Sequence, residues 1–79
     1  MERLDTDAKV VGAKQVKRSL STDNVKLVYV AKDAEKKVTQ DIIDLCKEKD
    51  VEIMYVDSMK KLGEACKIDI NAATAALLK

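Results

Sequence analysis

The sequence contains no histidine, proline, tryptophan or phenylalanine, and only two glycines, two cysteines and two tyrosines among its 79 residues. Without histidine, a general acid or base near neutral pH would have to be a carboxylate, lysine or thiolate with a shifted pKa. Two cysteines without histidine cannot complete a four-ligand zinc site. Gly12 and Gly63 are too few to form a glycine-rich phosphate loop. These absences predict a domain that is not an enzyme and needs no metal or cofactor.

The length of the chain and its cysteine content set further limits. Seventy-nine residues suffice for one small domain of modest stability. A secreted domain of this size would usually carry more cysteines, so a reducing, cytoplasmic setting is expected. Acidic residues near Met1 replace the apolar stretch of a signal peptide, and no apolar run reaches the length of a membrane span. We therefore expect neither export nor membrane insertion.

Charge is unevenly distributed, although the formal net charge is only +1. Residues 9–32 carry six cations and one anion, whereas the rest of the chain carries nine cations and thirteen anions. A basic segment on an otherwise acidic protein favours one defined contact surface for an anionic partner. The same lysines could also be solvated surface residues without a partner, and that alternative stays open here.

Three segments have the composition of β-strands. Residues 25–31 are dense in β-branched and aromatic side chains, which predicts a buried strand. Residues 51–56 predict a second strand, and the small-residue run 72–78 predicts a last strand packed between two layers.

Helical periodicity separates these strands. An amphipathic helix with a basic outer face is predicted after Gly12. A second helix is predicted to begin after Asp33 as N-cap and to end at Asp50, and Ser58 is expected to cap a third. Residues 4–9 give a weak signal for a further short helix. The inward positions of the three main helices are Ala13, Val16 and Leu20; Val38, Ile42, Leu45 and Cys46; and Met59, Leu62 and Cys66. This alternation predicts one three-layer α/β/α sandwich over residues 1–79.

The start of the first helix is the most informative motif. Lys14 and Arg18 lie four residues apart, and like charges at that spacing destabilise an isolated helix by roughly 0.2–0.5 kcal/mol. A bound anion would reverse this cost, because the first N–H groups of a helix are unpaired and Gly12 permits close approach. Gln15 adds an amide that can donate to and accept from a base edge. The motif predicts a phosphate or nucleobase partner, with a merely solvated face as the alternative.

Four blocks of the sequence, in order and without evident gaps, resemble the signature blocks of the kink-turn RNA-binding ribosomal proteins, the superfamily of large-subunit ribosomal protein seven-Ae. The blocks are residues 12–20 (GAKQVKRSL), 27–34 (LVYVAKDA), 58–66 (SMKKLGEAC) and 72–76 (AATAA). The Lys-Gln pair and the SMKKLG block are most similar to the short bacterial members. The resemblance implies an α/β/α sandwich around a four-stranded mixed sheet, without catalytic activity. It also implies a sharply bent RNA partner with tandem sheared G·A pairs, such as ribosomal or riboswitch RNA.

The resemblance further implies which residues contact this RNA. Gly12, Lys14 and Gln15 match the family's Gly-x-Lys-Gln element, which enters the RNA groove beside the G·A pairs. Arg18 replaces a family lysine that contacts the same RNA. Lys32 matches the position where the family's first long strand ends near the RNA.

A second implied contact is the apolar loop before the last strand, which in the family packs on an unstacked base and here consists of Ile68, Asp69, Ile70 and Asn71.

Two departures from the family lie close to the implied contacts. Thr22-Asp23 stands where Arg-Gly or Lys-Gly usually closes the RNA-facing helix, and Lys67 stands where a glycine usually follows the third helix. A residue other than glycine must adopt a left-handed conformation at some cost or end the helix differently.

Taken with the residue pattern, the resemblance predicts a monomeric RNA-binding protein without a small-molecule substrate. The alternative from another class is a small α/β protein-interaction module whose basic face binds an acidic partner. A more remote alternative is a thiol enzyme that uses Cys46 or Cys66. Both cysteines fall on apolar stripes, however, where cysteine serves as a small hydrophobic residue.

Overall fold

The structure is a computed structural model that describes residues 8–79. Its strands are β1 (Lys9–Val11), β2 (Val25–Ala31), β3 (Glu52–Val56) and β4 (Thr74–Leu78), and its helices are α1 (Ala13–Ser21), α2 (Lys36–Lys49) and α3 (Met59–Ala65). The strands form one mixed sheet in the order β1-β4-β2-β3. Strand β4 is antiparallel to β1 and β2, and β2 is parallel to β3. The predicted α/β fold with a four-stranded mixed sheet is confirmed.

Strand β2 shows how the two faces of the sheet are covered. Its side chains alternate, so that Val28 and Val30 pack with α1 and α2 on one face. Leu27 and Tyr29 pack with α3 on the other. Every side chain of β2 except Lys26 is buried, which is the pattern of a strand covered by helices on both faces.

Strand β4 lies between β1 and β2 and is built from small residues. Ala75 faces α3 and Ala76 faces the helix pair, and both are completely buried. Thr74 at its start is also buried, and its hydroxyl donates to the carbonyl of Tyr29 at 2.7 Å. Small side chains here let helices from both layers approach the sheet closely.

The short helix predicted at residues 4–9 is wrong for the part of it that the structure describes. Residues 4–7 lie outside the described part of the chain, and Lys9 belongs to strand β1. Lys9 pairs with Leu77 and Val11 pairs with Ala75. A strand of three residues is stabilised by a neighbour far along the chain, so its own residues give no periodic signal.

The predicted N-cap of the second helix is also wrong. The residue at the N-cap of α2 is Glu35, and its side chain makes no capping hydrogen bond. Asp33 instead accepts the N–H of Met59, the first residue of α3, at 2.7 Å. Ser58 caps α3 as predicted, since its hydroxyl accepts the N–H of Lys61 at 3.1 Å.

All three helices end on a left-handed residue that is not glycine. The φ angle is 57° at Asp23, 57° at Asp50 and 59° at Lys67. The N–H groups at and after each of these residues bond back to carbonyls of the last turn, as in a Schellman motif; at α3, Ile68 donates to Gly63 at 3.1 Å. Asp23 and Lys67 therefore close their turns as the family's glycines would.

This geometry predicts that Lys67→Gly stabilises the protein. Glycine relieves the left-handed strain of a side chain, which costs roughly 1–2 kcal/mol per residue, although it also adds disorder to the unfolded chain. A net gain of about 1 kcal/mol would raise the melting temperature by roughly 4–8 °C. Lys60→Gly, within the same helix, is the matched control and should instead lose about 1 kcal/mol. Equal losses in thermal melts of the two variants would contradict the prediction.

None of the helices within residues 8–79 combines the length and the apolar composition that crossing a bilayer requires.

Candidate functional site

One end of the sheet gathers the segments that the sequence analysis singled out. Strands β1, β2 and β3 end there and β4 begins there. The N–H of Gly12 donates to the carbonyl of Thr74 at 2.9 Å, and the N–H of Ala31 donates to the carbonyl of Ala73 at 2.9 Å. Lys32 directly follows β2. Gly12 and Lys32 therefore flank the start of β4 from its two sides. We call this the loop end of the sheet.

Gly12 occupies a backbone conformation that other residues rarely adopt. Its φ is 100° and its ψ is 146°, a region restricted almost entirely to glycine. Apart from Gly12 itself and its two neighbours in the chain, no described residue has an atom within 4 Å of the position that a Cβ would take. No side chain caps the first turn of α1, and that turn contains no acidic residue. Gly12 therefore leaves room for a close approach at the start of α1.

The polar side chains of α1 face solvent on one side. Lys14, Gln15 and Arg18 are all exposed. Lys17 differs, because its ammonium lies 3.0 Å from the carboxylate of Asp41 on α2. Within residues 8–79 the structure records no ion-pair partner for Lys14 or Arg18. Two adjacent cations are thus left without a compensating acid while a third is paired.

Lys32 is also exposed, but it has a carboxylate nearby. Its ammonium lies 3.6 Å from Asp57, which is also 3.4 Å from the ammonium of Lys61. All three side chains are more than half exposed, and such pairs contribute about 0–1 kcal/mol. A phosphate could therefore replace Asp57 as the partner of Lys32 at little cost.

The two isoleucines in the loop between α3 and β4 differ in exposure, although both were predicted to contact RNA. Ile68 is partly buried and packs against the core beneath α3. Ile70 is 73% exposed, and Asp69 beside it is exposed as well. Of the two isoleucines, only Ile70 offers its apolar surface to a partner.

Contacts that the sequence analysis missed hold this loop in place. A Cβ on Gly63 would overlap the carbonyl oxygen of Ile70, so the loop crosses α3 directly against its backbone. The carbonyl of Met59 accepts the N–H of Ala72 at 3.1 Å, while Asp33 accepts the N–H of Met59. These hydrogen bonds connect the segments after β2, at the start of α3 and before β4. No local sequence pattern predicts these contacts, because the partners are far apart in sequence.

Both cysteines are buried, as the apolar stripes predicted, and both are free thiols. Burial raises the pKa of the Cys46 thiol from 9.0 to about 11. A buried thiol with a raised pKa is a poor nucleophile. Among residues 8–79 no group of three or more His, Cys, Asp or Glu could hold a metal ion.

The raised pKa of Cys46 predicts a loss of stability in alkali. In the unfolded chain the thiol ionises from about pH 9, whereas in the folded protein it stays neutral up to about pH 11. The free energy of unfolding should therefore fall across this interval. Urea unfolding of Cys46→Ala, which lacks the thiol, serves as the control. The variant should show the shallower decline, and an identical decline in both proteins would contradict the prediction.

The fold and its loop end, with exposed cations, an amide and an apolar side chain, define a domain of the three-layer α/β/α class. Residues 2–79 match the Ribosomal protein L7Ae/L30e/S12e/Gadd45 family, and the chain belongs to that family.

Relatives and solved structures agree with this membership. The chain is 50% identical over 68 residues to an RNA-binding protein of Caldanaerobacter subterraneus, covering 86% of this chain and 83% of that protein. It is 41% identical over 70 residues to the RNA-binding protein YbxF of Geobacillus stearothermophilus, covering 89% and 85%. The structure of the Giardia lamblia 15.5kD RNA binding protein superimposes with a TM-score of 0.86 at 25% identity, covering 91% of this chain and 61% of that one.

The predicted resemblance is confirmed, including the similarity to short bacterial members. The prediction that the chain is not an enzyme is confirmed on the same ground, since the chain belongs to a ribosomal protein family and these relatives are named as RNA-binding proteins.

Proposed function

We propose that this protein binds RNA through the loop end of its sheet and that its target is a kink-turn with tandem sheared G·A pairs. Family membership and the names of its relatives support RNA binding. The observation that carries the proposal is the exposed face of α1, where Lys14 lies beside the uncapped start of the helix at Gly12 and Arg18 lies one turn further on, both without an ion-pair partner among residues 8–79.

The chemistry of each side chain suggests its role. Arg18 and Lys14 suit phosphate oxygens, and the planar guanidinium can also bind a base edge through two hydrogen bonds. The Gln15 amide can both donate and accept, as an exposed base edge in a distorted helix requires. Lys32 adds a cation near the start of β4, and Gly12 leaves room for the RNA backbone.

The loop of residues 68–71 supplies the second contact of the proposal. Ile70 presents an apolar surface on which an unstacked base can pack, with Asp69 beside it, while Ile68 supports the loop from beneath. Residues 1–79 would then act as a single RNA-binding domain, monomeric and cytoplasmic.

Ile70→Ala separates this role from a structural one. Because the side chain is exposed, its truncation should change the free energy of unfolding by less than about 0.5 kcal/mol. Affinity for the kink-turn should fall by roughly 1 kcal/mol through the lost apolar contact. Calorimetric titration and urea unfolding measure the two quantities. Ile68→Ala is the comparison and should destabilise the fold more; unchanged affinity in Ile70→Ala would remove this loop from the interface.

The experiment that tests the function compares two RNAs. Titration with a kink-turn RNA and with the same RNA carrying G·C in place of the G·A pairs should show binding mainly to the former. The dependence on salt should be shallow, because few phosphates are neutralised. Equal binding of both RNAs would end the kink-turn proposal. Absence of RNA binding would favour the protein-interaction module with an acidic partner.

A further inference from the structure

A cavity of about 330 Å³ lies between α2 and the edge strand β3. Lys36, Gln40 and Ile43 line it from one face of α2, since their spacing of four and three residues places them along a single stripe. Tyr55 on β3 lines it from the other side, and the end of β2 at Ala31 also contributes. We call this cavity the Tyr55 pocket. It lies where the parallel strands β2 and β3 end, and β3 is the edge strand opposite β1.

The charged residues that line the pocket are of one sign. Lys32 and Lys36 both line it, and no carboxylate does. Lys32 has the exposed Asp57 at 3.6 Å, whereas Lys36 has no ion-pair partner within residues 8–79. The Gln40 amide nitrogen donates to Asp44 at 2.9 Å, which leaves its amide oxygen available to a ligand. The pocket is therefore suited to a ligand that carries negative charge.

Tyr55 gives the pocket an aromatic wall. The other tyrosine, Tyr29, is buried in the core, but Tyr55 is 54% exposed. Strand β3 is an edge strand with no neighbour on its outer side among residues 8–79, so nothing described covers the ring. Exposed aromatic rings beside cations are the platforms on which unpaired bases stack. The volume is at the lower end of the range for ligand pockets, about 300–1,000 Å³, which fits one nucleotide and excludes a duplex.

We propose that the Tyr55 pocket binds one unpaired nucleotide of a single-stranded segment that flanks the bent RNA, with its base on Tyr55 and its phosphate near Lys32 and Lys36. The inference rests on the proposed function, because Lys32 borders both the pocket and the interface built on α1. The pocket is separate from the contact at Ile70, which lies on the loop before β4 and does not line it.

The test measures how much a single-stranded extension adds to the affinity. Kink-turn RNA is titrated without an extension and with a short run of uridines at either its 5′ or its 3′ end. One extension should tighten binding by about tenfold, as stacking on one aromatic side chain does. Tyr55→Leu should lose this gain and bind the RNA without an extension as the wild type does. Tyr55→Phe, which retains the ring, should keep the gain.

Variants at neighbouring positions test whether the gain in affinity from the extension depends on the pocket. Lys36→Gln should reduce the gain, whereas Lys37→Gln on the same helix turn, outside the pocket, should not. Met54→Leu alters the neighbouring residue of β3, which does not line the Tyr55 pocket, and should leave the gain intact. Thermal melts establish that each variant is folded. Overturning results are a gain that survives in Tyr55→Leu, or no gain with either extension.

A second measurement keeps the pocket testable should the kink-turn proposal fail. Amide chemical shifts of the wild-type protein titrated with oligouridylate alone should move at Tyr55 and Gln40, and the same titration of Tyr55→Leu should not saturate. Failure of the protein to bind kink-turn RNA would then be distinct from failure of the pocket. Uridine monophosphate that saturates the pocket as tightly as the oligonucleotide would assign it to a free nucleotide and overturn the inference.

Discussion

Arg18→Ala should weaken binding of kink-turn RNA by roughly 1–3 kcal/mol, the range for a bidentate or desolvated arginine contact. The same change should leave the free energy of unfolding equal or slightly higher, because it removes one of two like charges four residues apart on α1. A loss of binding without a loss of stability is expected from a residue selected for a partner. Calorimetric titration and urea unfolding of the same preparations measure both quantities.

Lys17→Ala is the matched control, since Lys17 lies beside Arg18 on α1 but is paired with Asp41. It should affect RNA affinity less than Arg18→Ala does. Gln15→Ala should reduce the preference for G·A over G·C more than it reduces affinity for a generic duplex. Wild-type selectivity in the variant with alanine at positions 14, 15 and 18 would remove α1 from the interface.

Gly63→Ala should destabilise the protein by about 1–3 kcal/mol, the usual cost of forcing an extra methyl group into a packed site. Helix propensity alone predicts the opposite sign, since alanine is favoured over glycine within a helix by about 1 kcal/mol. The overlap prevails because the neighbour is the backbone carbonyl of Ile70, which cannot rotate away as a side chain would. The sign of the change in urea unfolding decides between the two effects.

The same variant should also weaken RNA binding. The methyl group displaces the loop of residues 68–71, so that Ile70 moves from its place at the loop end of the sheet. Glu64→Ala, at the next and exposed position of α3, is the control and should change neither quantity appreciably. A Gly63→Ala protein of higher stability with unchanged affinity would show that the loop adapts freely.

The connections around Asp33 explain why the loop end can act as one surface. Asp33 bonds to Met59, and Met59 bonds to Ala72, so the segments that follow β2 and precede β4 share a partner at the start of α3. A contact made by Ile70 is thereby linked mechanically to the turn that carries Lys32. The proposed RNA contacts at Ile70 and Lys32 are therefore connected without a large network of side chains.

The sequence by itself determined the main helices and strands where the signal is local. Strand β2 has the predicted bounds, because a seven-residue segment that is apolar except for Lys26 identifies a buried strand without reference to any partner. The start of α1 at Gly12 and the cap at Ser58 were also predictable, since both depend on residues within one helical turn. The candidate residues on α1 were recognisable for the same reason, from charge spacing and from the family's Lys-Gln pair.

Tertiary structure alone decided the features that depend on residues distant in sequence. Strand β1 exists because β4 pairs with it, and Asp33 contacts Met59 across 26 positions. The two tyrosines occupy strands of similar composition, yet Tyr29 is buried in a central strand and Tyr55 is exposed on an edge. Strand order determines which of them is covered, because β2 has a neighbouring strand on both sides whereas β3 lies at the edge of the sheet. No periodicity within a single segment contains that information.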